Sequence, residues 1–255
     1  MNGDLTVVKV GTGVLTKVSD GTLDGAALVR LATALAGLIE GGRRLILVSS
    51  GAVGAGVAAF GLASYPTELA TRQACAAVGQ ARLMTAYETI FRNFEVAVAQ
   101  LLLTAADIQT AERRELVVNT LRRLLEEPRL LPIINENDSV AVEELKVGDN
   151  DMLSVRVAEL AGAGRLIILT SVDGLLDPAS GRPLERVDDL AQAEALVSDV
   201  KGRFSIGGMA SKLQAVRRAV EGGIETLIAN GRKPEQLPEI IAGRGVATRF
   251  PAREG

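Results

Sequence analysis

Short runs rich in Val, Ile and Leu alternate along this chain with longer stretches whose apolar residues recur every three or four positions, and that alternation admits few folds. Parallel strands need crossover connections, and right-handed crossovers lay their helices over the sheet, so the pattern predicts a mainly parallel sheet covered on both faces. Strands are expected at residues 5–10, 45–48, 95–103, 130–134, 166–170 and 226–229. Between the first two, Leu28, Leu31, Leu35, Leu38 and Ile39 fall at helical spacing, with Asp24 placed to cap the start. Helices are also expected over 66–94, 110–127 (stopped by Pro128), 152–163, 190–200 and 234–242, and from the glycine pair at 207–208, with Met209, Leu213, Val216 and Val220 on the buried face. The run 135–151 alternates in its middle and predicts a β-hairpin, whereas 173–202, acidic and broken by Pro and Gly, reads as the most mobile stretch. No internal repeat or linker divides the chain.

Composition then narrows the chemistry. With 255 residues, 47% hydrophobic and 23% charged, the chain can bury a substantial core. It contains no His, which excludes Ser-His-Asp and Cys-His catalysis, imidazole metal sites and an imidazole base. Acid, base and charge chemistry must come from carboxylates, Lys, Arg and hydroxyls. The single Cys75 sits in an Ala-rich stretch and reads as a small core residue. A formal net charge of −3 offers no footprint for nucleic acid or an anionic membrane. There is no apolar run of about 18 residues and no basic leader, so the expectation is a cytoplasmic protein without nucleic-acid or membrane partners. Acidic residues predominate over 135–200 and basic ones over 201–255, either an acidic substrate side facing an anion-binding segment or two solvated surfaces.

Three Gly-rich turns adjoin predicted elements: GTG at 11–13, SGAVGAG at 50–56 and the pair at 207–208. Each can bring backbone close to a phosphate or carboxylate, and each can equally be turn geometry. The glycines of GAVGAG are not spaced as in a dinucleotide fingerprint, and no P-loop string occurs. Lys9 lies inside an otherwise apolar strand, where a buried ammonium requires an anion, either a local carboxylate or a ligand. Lys212 falls in the first turn of a helix, where the dipole disfavours a cation unless an anion compensates. The clusters Asn135, Glu136, Asn137, Asp138 and Asp149, Asn150, Asp151 flank the predicted hairpin at the carboxyl edge of the sheet, where open α/β folds bind ligands. Capping can explain any one of them; together they suit a ligand carrying both an ammonium and a carboxylate.

VVKVGTGVLT at 7–16, LVSSGAVGAG at 47–56, AAVGQARLM at 76–84, LPIINENDSVA at 131–141, EELKVGDNDMLS at 143–154 and GGMASKLQAV at 207–216 closely resemble the glutamate 5-kinases of the amino acid kinase family, in the same order and spacing to about residue 232. The resemblance implies an αβα sandwich that phosphorylates the side-chain carboxylate of L-glutamate with ATP and Mg²⁺, the first step of proline biosynthesis. It implies that Lys9 and Lys212 contact the transferring phosphoryl group and that Asp151 holds both. Ser50, Gly51, Asn135, Asp138, Asp149 and Asn150 would bind glutamate. Lys9, Gly11, Thr170, Ser171, Ile206, Gly207, Gly208, Met209, Ala210, Ser211 and Lys212 would bind the nucleotide, with no metal-ligating side chain. Three positions depart from the family pattern: Ser171 stands for its Asp, Ile206 for its Thr and Gly13 for its Ser. The resemblance also implies a homo-oligomer, dimer or tetramer, with proline as a feedback inhibitor. It is to the short form, a single kinase domain over 1–255 without the added C-terminal PUA domain. Related kinases acting on acetylglutamate, aspartate, carbamate or a nucleoside monophosphate, and a non-catalytic binding module, are the alternatives that the residues leave open.

Overall fold

The computed structural model describes residues 2–17, 19–62, 64–141, 150–199 and 208–253, and among them seven strands pair into one sheet. These are β1 (Asn2–Val10), β2 (Arg44–Val48), β3 (Ala97–Leu103), β4 (Leu130–Glu136), β5 (Ala163–Thr170), β6 (Glu225–Asn230) and β7 (Ala247–Phe250), in the spatial order β3-β4-β2-β1-β5-β6-β7. All neighbours run parallel except β6 and β7. The helices are α1 (Thr12–Leu15), α2 (Gly25–Glu40), α3 (Ala52–Val57), α4 (Leu69–Phe91), α5 (Ala105–Gln109), α6 (Ala111–Leu124), α7 (Asn150–Ala161), α8 (Leu190–Asp199), α9 (Gly208–Glu221) and α10 (Leu237–Ile241). The architecture is the expected αβα sandwich with a mainly parallel sheet.

Successive strand residues face opposite sides, and two cores follow from that period. Leu5 and Val7 of β1, with Ile46, Val48, Ile134 and Ile168, pack against Leu121 of α6, Leu153 of α7 and Leu213 of α9. Val8 and Val10, with Leu45, Leu47, Ile133 and Leu169, meet Leu31 and Leu35 of α2 and Leu83 and Tyr87 of α4. Lys9 therefore shares the face of Leu5 and Val7, under α7 and α9. Asp24 caps α2 as predicted, accepting from the amides of Ala26 and Ala27. Among the described residues no helix is long and apolar enough to cross a membrane.

Several boundaries differ from expectation. The third strand begins at Ala97 rather than 95, because Glu95 takes φ 55° in the left-handed region and closes the turn that ends α4. The first strand starts earlier than expected, at Asn2. β7 was not expected; it is four residues long, and it pairs with β6 from Thr226↔Phe250 to Ala229↔Ala247. The stretch expected to be mobile is tied to β7 through residue 187: the Leu175 amide donates to Thr248 Oγ1, and the Val187 amide donates to the Arg249 carbonyl. The predicted hairpin falls largely on 142–149, outside the described residues; its lead-in is a turn in which the amides of Val140 and Ala141 donate to the Asn137 carbonyl.

The glycines of the 50–56 run do not all cradle a ligand. A Cβ on Gly56 would lie 2.0 Å from the Cys75 carbonyl oxygen, and one on Gly79 of α4 would lie 1.7 Å from the Ala52 oxygen. These two glycines let α3 and α4 pack backbone to backbone, with Cys75 fully buried beside them. Gly79→Ala should therefore force α3 away from α4 and lower stability by ~1–3 kcal/mol or more, which urea denaturation followed by circular dichroism will measure. A midpoint unchanged from wild type would rule out this close contact.

Candidate active site

The carboxyl ends of β1, β2, β4 and β5 open onto a cleft of about 480 Å³. Strand order reverses here, β2 lying on one side of β1 and β5 on the other, the arrangement in which parallel sheets leave a crevice. Lys9 is the penultimate residue of β1, in register with Val48 of β2 and Ile168 of β5, and is 4% exposed. Asp151, in the first turn of α7, is 0% exposed. Its Oδ1 lies 2.6 Å from Lys9 Nζ and its Oδ2 2.9 Å from Lys212 Nζ. Lys212, one turn into α9, also donates to the Gly208 carbonyl at 3.2 Å. Burial works to raise the pKa of Asp151, but the fields and hydrogen bonds of the two ammonium groups outweigh it and hold the carboxyl below its ordinary range. One carboxylate between two ammonium groups leaves the cluster with a net positive charge. Lys9 and Lys212 both line the cleft.

On the other side of the cleft an amide relay joins three elements. Asn135 Nδ2 at the end of β4 donates to Gln80 Oε1 of α4 at 2.9 Å, and Asn135 Oδ1 accepts from Asn150 Nδ2 of α7 at 3.1 Å. Asn150 Nδ2 also donates to Ser50 Oγ at 2.9 Å. Asn150 Oδ1 is buried and has no donor among the described residues. Gly51 begins α3 with φ 93°, a conformation that favours glycine, and turns the chain beside Ser50. Behind Ser50, Ser49 Oγ and the buried Tyr87 hydroxyl lie 3.0 Å apart, which fixes the end of β2 against α4.

Of the residues singled out in the sequence, Lys9, Gly11, Ser50, Gly51, Asp138, Asn150, Thr170, Ser171, Gly208 and Lys212 line this one cleft. Asn135 stands behind it, 1% exposed, holding Asn150 rather than lining the space. Met209 packs on the core under α9, and Ala210 is exposed on that helix; neither they nor Ser211 line the cleft. Asp149, Ile206 and Gly207 lie outside the described residues. Gly13, at one of the departures from the family pattern, lines the cleft, and a Cβ there would meet nothing within 4 Å. Two residues beyond Ser171, Asp173 accepts from Lys233 Nζ and Asn230 Nδ2, both at 2.9 Å, which hold its carboxyl below the ordinary range. Glu136, from the cluster expected at this edge, lines the cleft as well; Tyr65 and Arg72 also line it and were not expected there. The signal that could have found Arg72 is the one that found Lys212, a cation near the start of a helix.

Among the described residues no three Cys, Asp or Glu side chains gather to hold a metal ion. The lysine wall of the cleft, two ammonium groups around one spoken-for carboxylate, suits phosphate oxygens.

A model of the amino acid kinase family matches residues 4–230. The glutamate 5-kinase of Nostoc sp. (strain PCC 7120 / SAG 25.82 / UTEX 2576) is 43% identical over 258 residues, covering 97% of this chain and 68% of the relative. That of Synechococcus sp. (strain JA-2-3B'a(2-13)) is 44% identical over 254 residues, with the same coverage of 97% and 68%. Among solved structures, carbamate kinase from Giardia lamblia superposes with a TM-score of 0.69 at 16% identity, over 98% of this chain and 99% of that one. N-acetylglutamate synthase from Neisseria gonorrhoeae gives a TM-score of 0.73 at 20% identity, over 100% of this chain and 61% of that one. At these identities the structural likeness shows the fold alone.

Asp151→Asn should cost about 3–5 kcal/mol, because it leaves two buried ammonium groups without their anion. The folded pKa of Asp151 lies below its ordinary value of 3.8, so its contribution is fully present above that value and is lost as pH falls through the lower folded one. The stability gap between wild type and Asp151→Asn, measured by denaturant titration, should stay constant from neutral pH towards 3.8 and shrink below it. A gap that widened on acidification would contradict the ion cluster.

Proposed function

The chain belongs to the amino acid kinase family, and from that premise we propose that it transfers the terminal phosphoryl group of ATP to the side-chain carboxylate of L-glutamate, giving ADP and L-glutamyl 5-phosphate, the first step of proline biosynthesis. The observation that carries this reading is the convergence of Lys9 and Lys212 on Asp151 at the wall of a cleft whose other wall offers Ser50, Asp138 and Asn150.

The reaction asks little of a base. A substrate carboxylate is ionised at neutral pH, so a chain without His can perform the transfer by positioning and charge neutralisation. A side-chain carboxylate oxygen attacks the terminal phosphorus, the bond to the bridging oxygen breaks, and its electron pair leaves with ADP. Lys9, from β1, and Lys212, from α9, supply preorganised donors to the equatorial oxygens, where charge gathers. Asp151 fixes the separation of the two ammonium groups before substrate arrives. Mg²⁺ would come with the phosphate oxygens of ATP and neutralise part of their charge. Asp138, with Ser50 and Asn150 on the same wall, suits the substrate ammonium, and Gly11, Gly13, Thr170, Ser171 and Gly208 suit the nucleotide side. The same reading includes proline as a feedback inhibitor and assembly into dimers or tetramers, for which the exposed Ala77, Val78 and Ala81 of α4 offer a surface.

A coupled assay of ADP release should give turnover with L-glutamate well above that with D-glutamate, aspartate or acetylglutamate. Equal or greater turnover with one of those three would replace glutamate as the substrate. Lys9→Ala and Lys212→Ala should each lower kcat by ~10²-fold or more, by analogy with loss of one preorganised donor; full turnover in both would remove them from the chemistry. Asp138→Ala should raise the KM for glutamate and leave that for ATP near the wild-type value, and a defect confined to ATP would reassign it.

A further inference from the structure

Ser50 and Asn150 line the cleft, yet what aims them lies behind it. Asn150 Nδ2 spends one proton on Ser50 Oγ and the other on Asn135 Oδ1. A hydroxyl that accepts such a bond keeps its own proton to donate, so Ser50 presents a donor to a carboxylate in the cleft. The aim of both groups therefore depends on where Asn135 and the end of β2 are held, and both are held by α4. Gln80 Oε1 accepts from Asn135 Nδ2 at 2.9 Å, and two helical turns further on the Tyr87 hydroxyl lies 3.0 Å from Ser49 Oγ. These two ties close on each other, because the Ser49 amide donates at 2.8 Å to the carbonyl of Ile134, the residue before Asn135. Gln80, Leu83 and Tyr87 are buried along one face of α4, and none of Gln80, Asn135, Ser49 and Tyr87 lines the cleft. Burial raises the pKa of Tyr87, so the phenol keeps its proton for the tie. Gly79, next to Gln80, seats α4 on the Ala52 carbonyl of α3, which leaves the helix little room to shift.

We propose that Gln80 and Tyr87 are positioning residues for the amino-acid substrate, through which α4 holds the ends of β4 and β2 so that Asn150 and Ser50 meet that substrate at fixed places. This rests on the phosphotransfer reading above and adds to it a determinant of substrate binding that lies outside the cleft. Neither residue touches ligand. Loss of the Gln80 acceptor leaves the buried Asn135 NH₂ unpaired, and the asparagine that shifts to relieve this moves the partner of Asn150. The Glu136 amide still holds Asn135 Oδ1, so the wall slackens rather than comes apart. The lysine wall has no part in the loop.

The test compares wild type with Gln80→Leu, Tyr87→Phe, Asn135→Ala and the double variant Gln80→Leu/Asn135→Ala in the ADP-release assay. Gln80→Leu should raise the KM for L-glutamate by roughly 5–50-fold, the cost of a buried amide left unpaired, and Tyr87→Phe by roughly 2–10-fold. The KM for ATP should change by less than about twofold in both, as expected of sites that share no partner. Because Gln80 acts through Asn135, the double variant should be no worse than Asn135→Ala alone. Hydrogen exchange gives a second measure that needs no turnover: in Gln80→Leu it should quicken over 131–137 and 47–52 and stay as in wild type over α9. An unchanged KM for L-glutamate in either single variant overturns the proposal. So does an equal rise in both KM values, the mark of a general loosening, and so do additive losses in the double variant, which put Gln80 against the ligand itself. If Gln80→Leu fails to fold, Tyr87→Phe, which removes one oxygen, carries the comparison. A wild type that does not turn over L-glutamate defeats the kinase reading instead; the exchange comparison then decides the positioning role, unchanged rates over 131–137 counting against it.

Discussion

Everything at the cleft depends on one fully buried carboxylate with an ammonium group on each of its oxygens. Removing three charges from water costs several kcal/mol per ion, and the attraction among them offsets that cost only when the geometry is tight. The geometry is tight because each partner comes from a rigid element: Lys9 from a central strand bonded on both sides, Asp151 from the first turn of α7, and Lys212 from α9 packed beside it. The cluster is unbalanced by one positive charge. That imbalance is an energetic debt inside the protein and an attraction for any polyanion that enters the cleft.

The two walls of the cleft are built on different principles. The lysine wall is ionic and hangs from the α6–α9 layer, whereas the opposite wall is a relay of neutral amides and a hydroxyl running from Gln80 through Asn135 and Asn150 to Ser50. Glycine serves both walls by different means. Gly51 supplies a left-handed turn, while Gly56 and Gly79 remove the side chains that would keep α3 from α4.

Much of this was legible in the residues. A lysine in an apolar strand announces a buried charge, and the strand period then puts Lys9 on the face of Leu5 and Val7. Alternating strand and helix patterns gave the sandwich, and Asp24 the start of α2. Other features were hidden for identifiable reasons. Glycines that admit a ligand and glycines that admit a neighbouring helix look alike in sequence, since both work by lacking a Cβ, so Gly56 read as part of a cradle together with Gly54, which does line the cleft. β7 is too short for its period to register, and Phe250 joins the core through pairing with β6 that only the fold reveals. Asn135 read as a ligand contact because an amide after a strand carries no sign of which neighbour it bonds. Arg72 was passed over because a lone arginine near a helix start is ordinary until α4 is seen to begin at the cleft.

The amide relay has a direction. Gln80 presents its carbonyl oxygen to Asn135, so Asn135 must point its NH₂ backward and its oxygen forward; that oxygen in turn obliges Asn150 to spend its NH₂ and keep its own oxygen unspent. The orientation of both asparagines is thus held from two directions, by a glutamine in another layer and by the backbone amide of Glu136, which donates to Asn135 Oδ1 at 2.9 Å. Were that glutamine replaced by a side chain that only donates, the two anchors would oppose each other, because the Glu136 amide keeps the Asn135 oxygen in place and leaves its NH₂ facing a second donor, so the strain would fall on the packing of α4 against the end of β4.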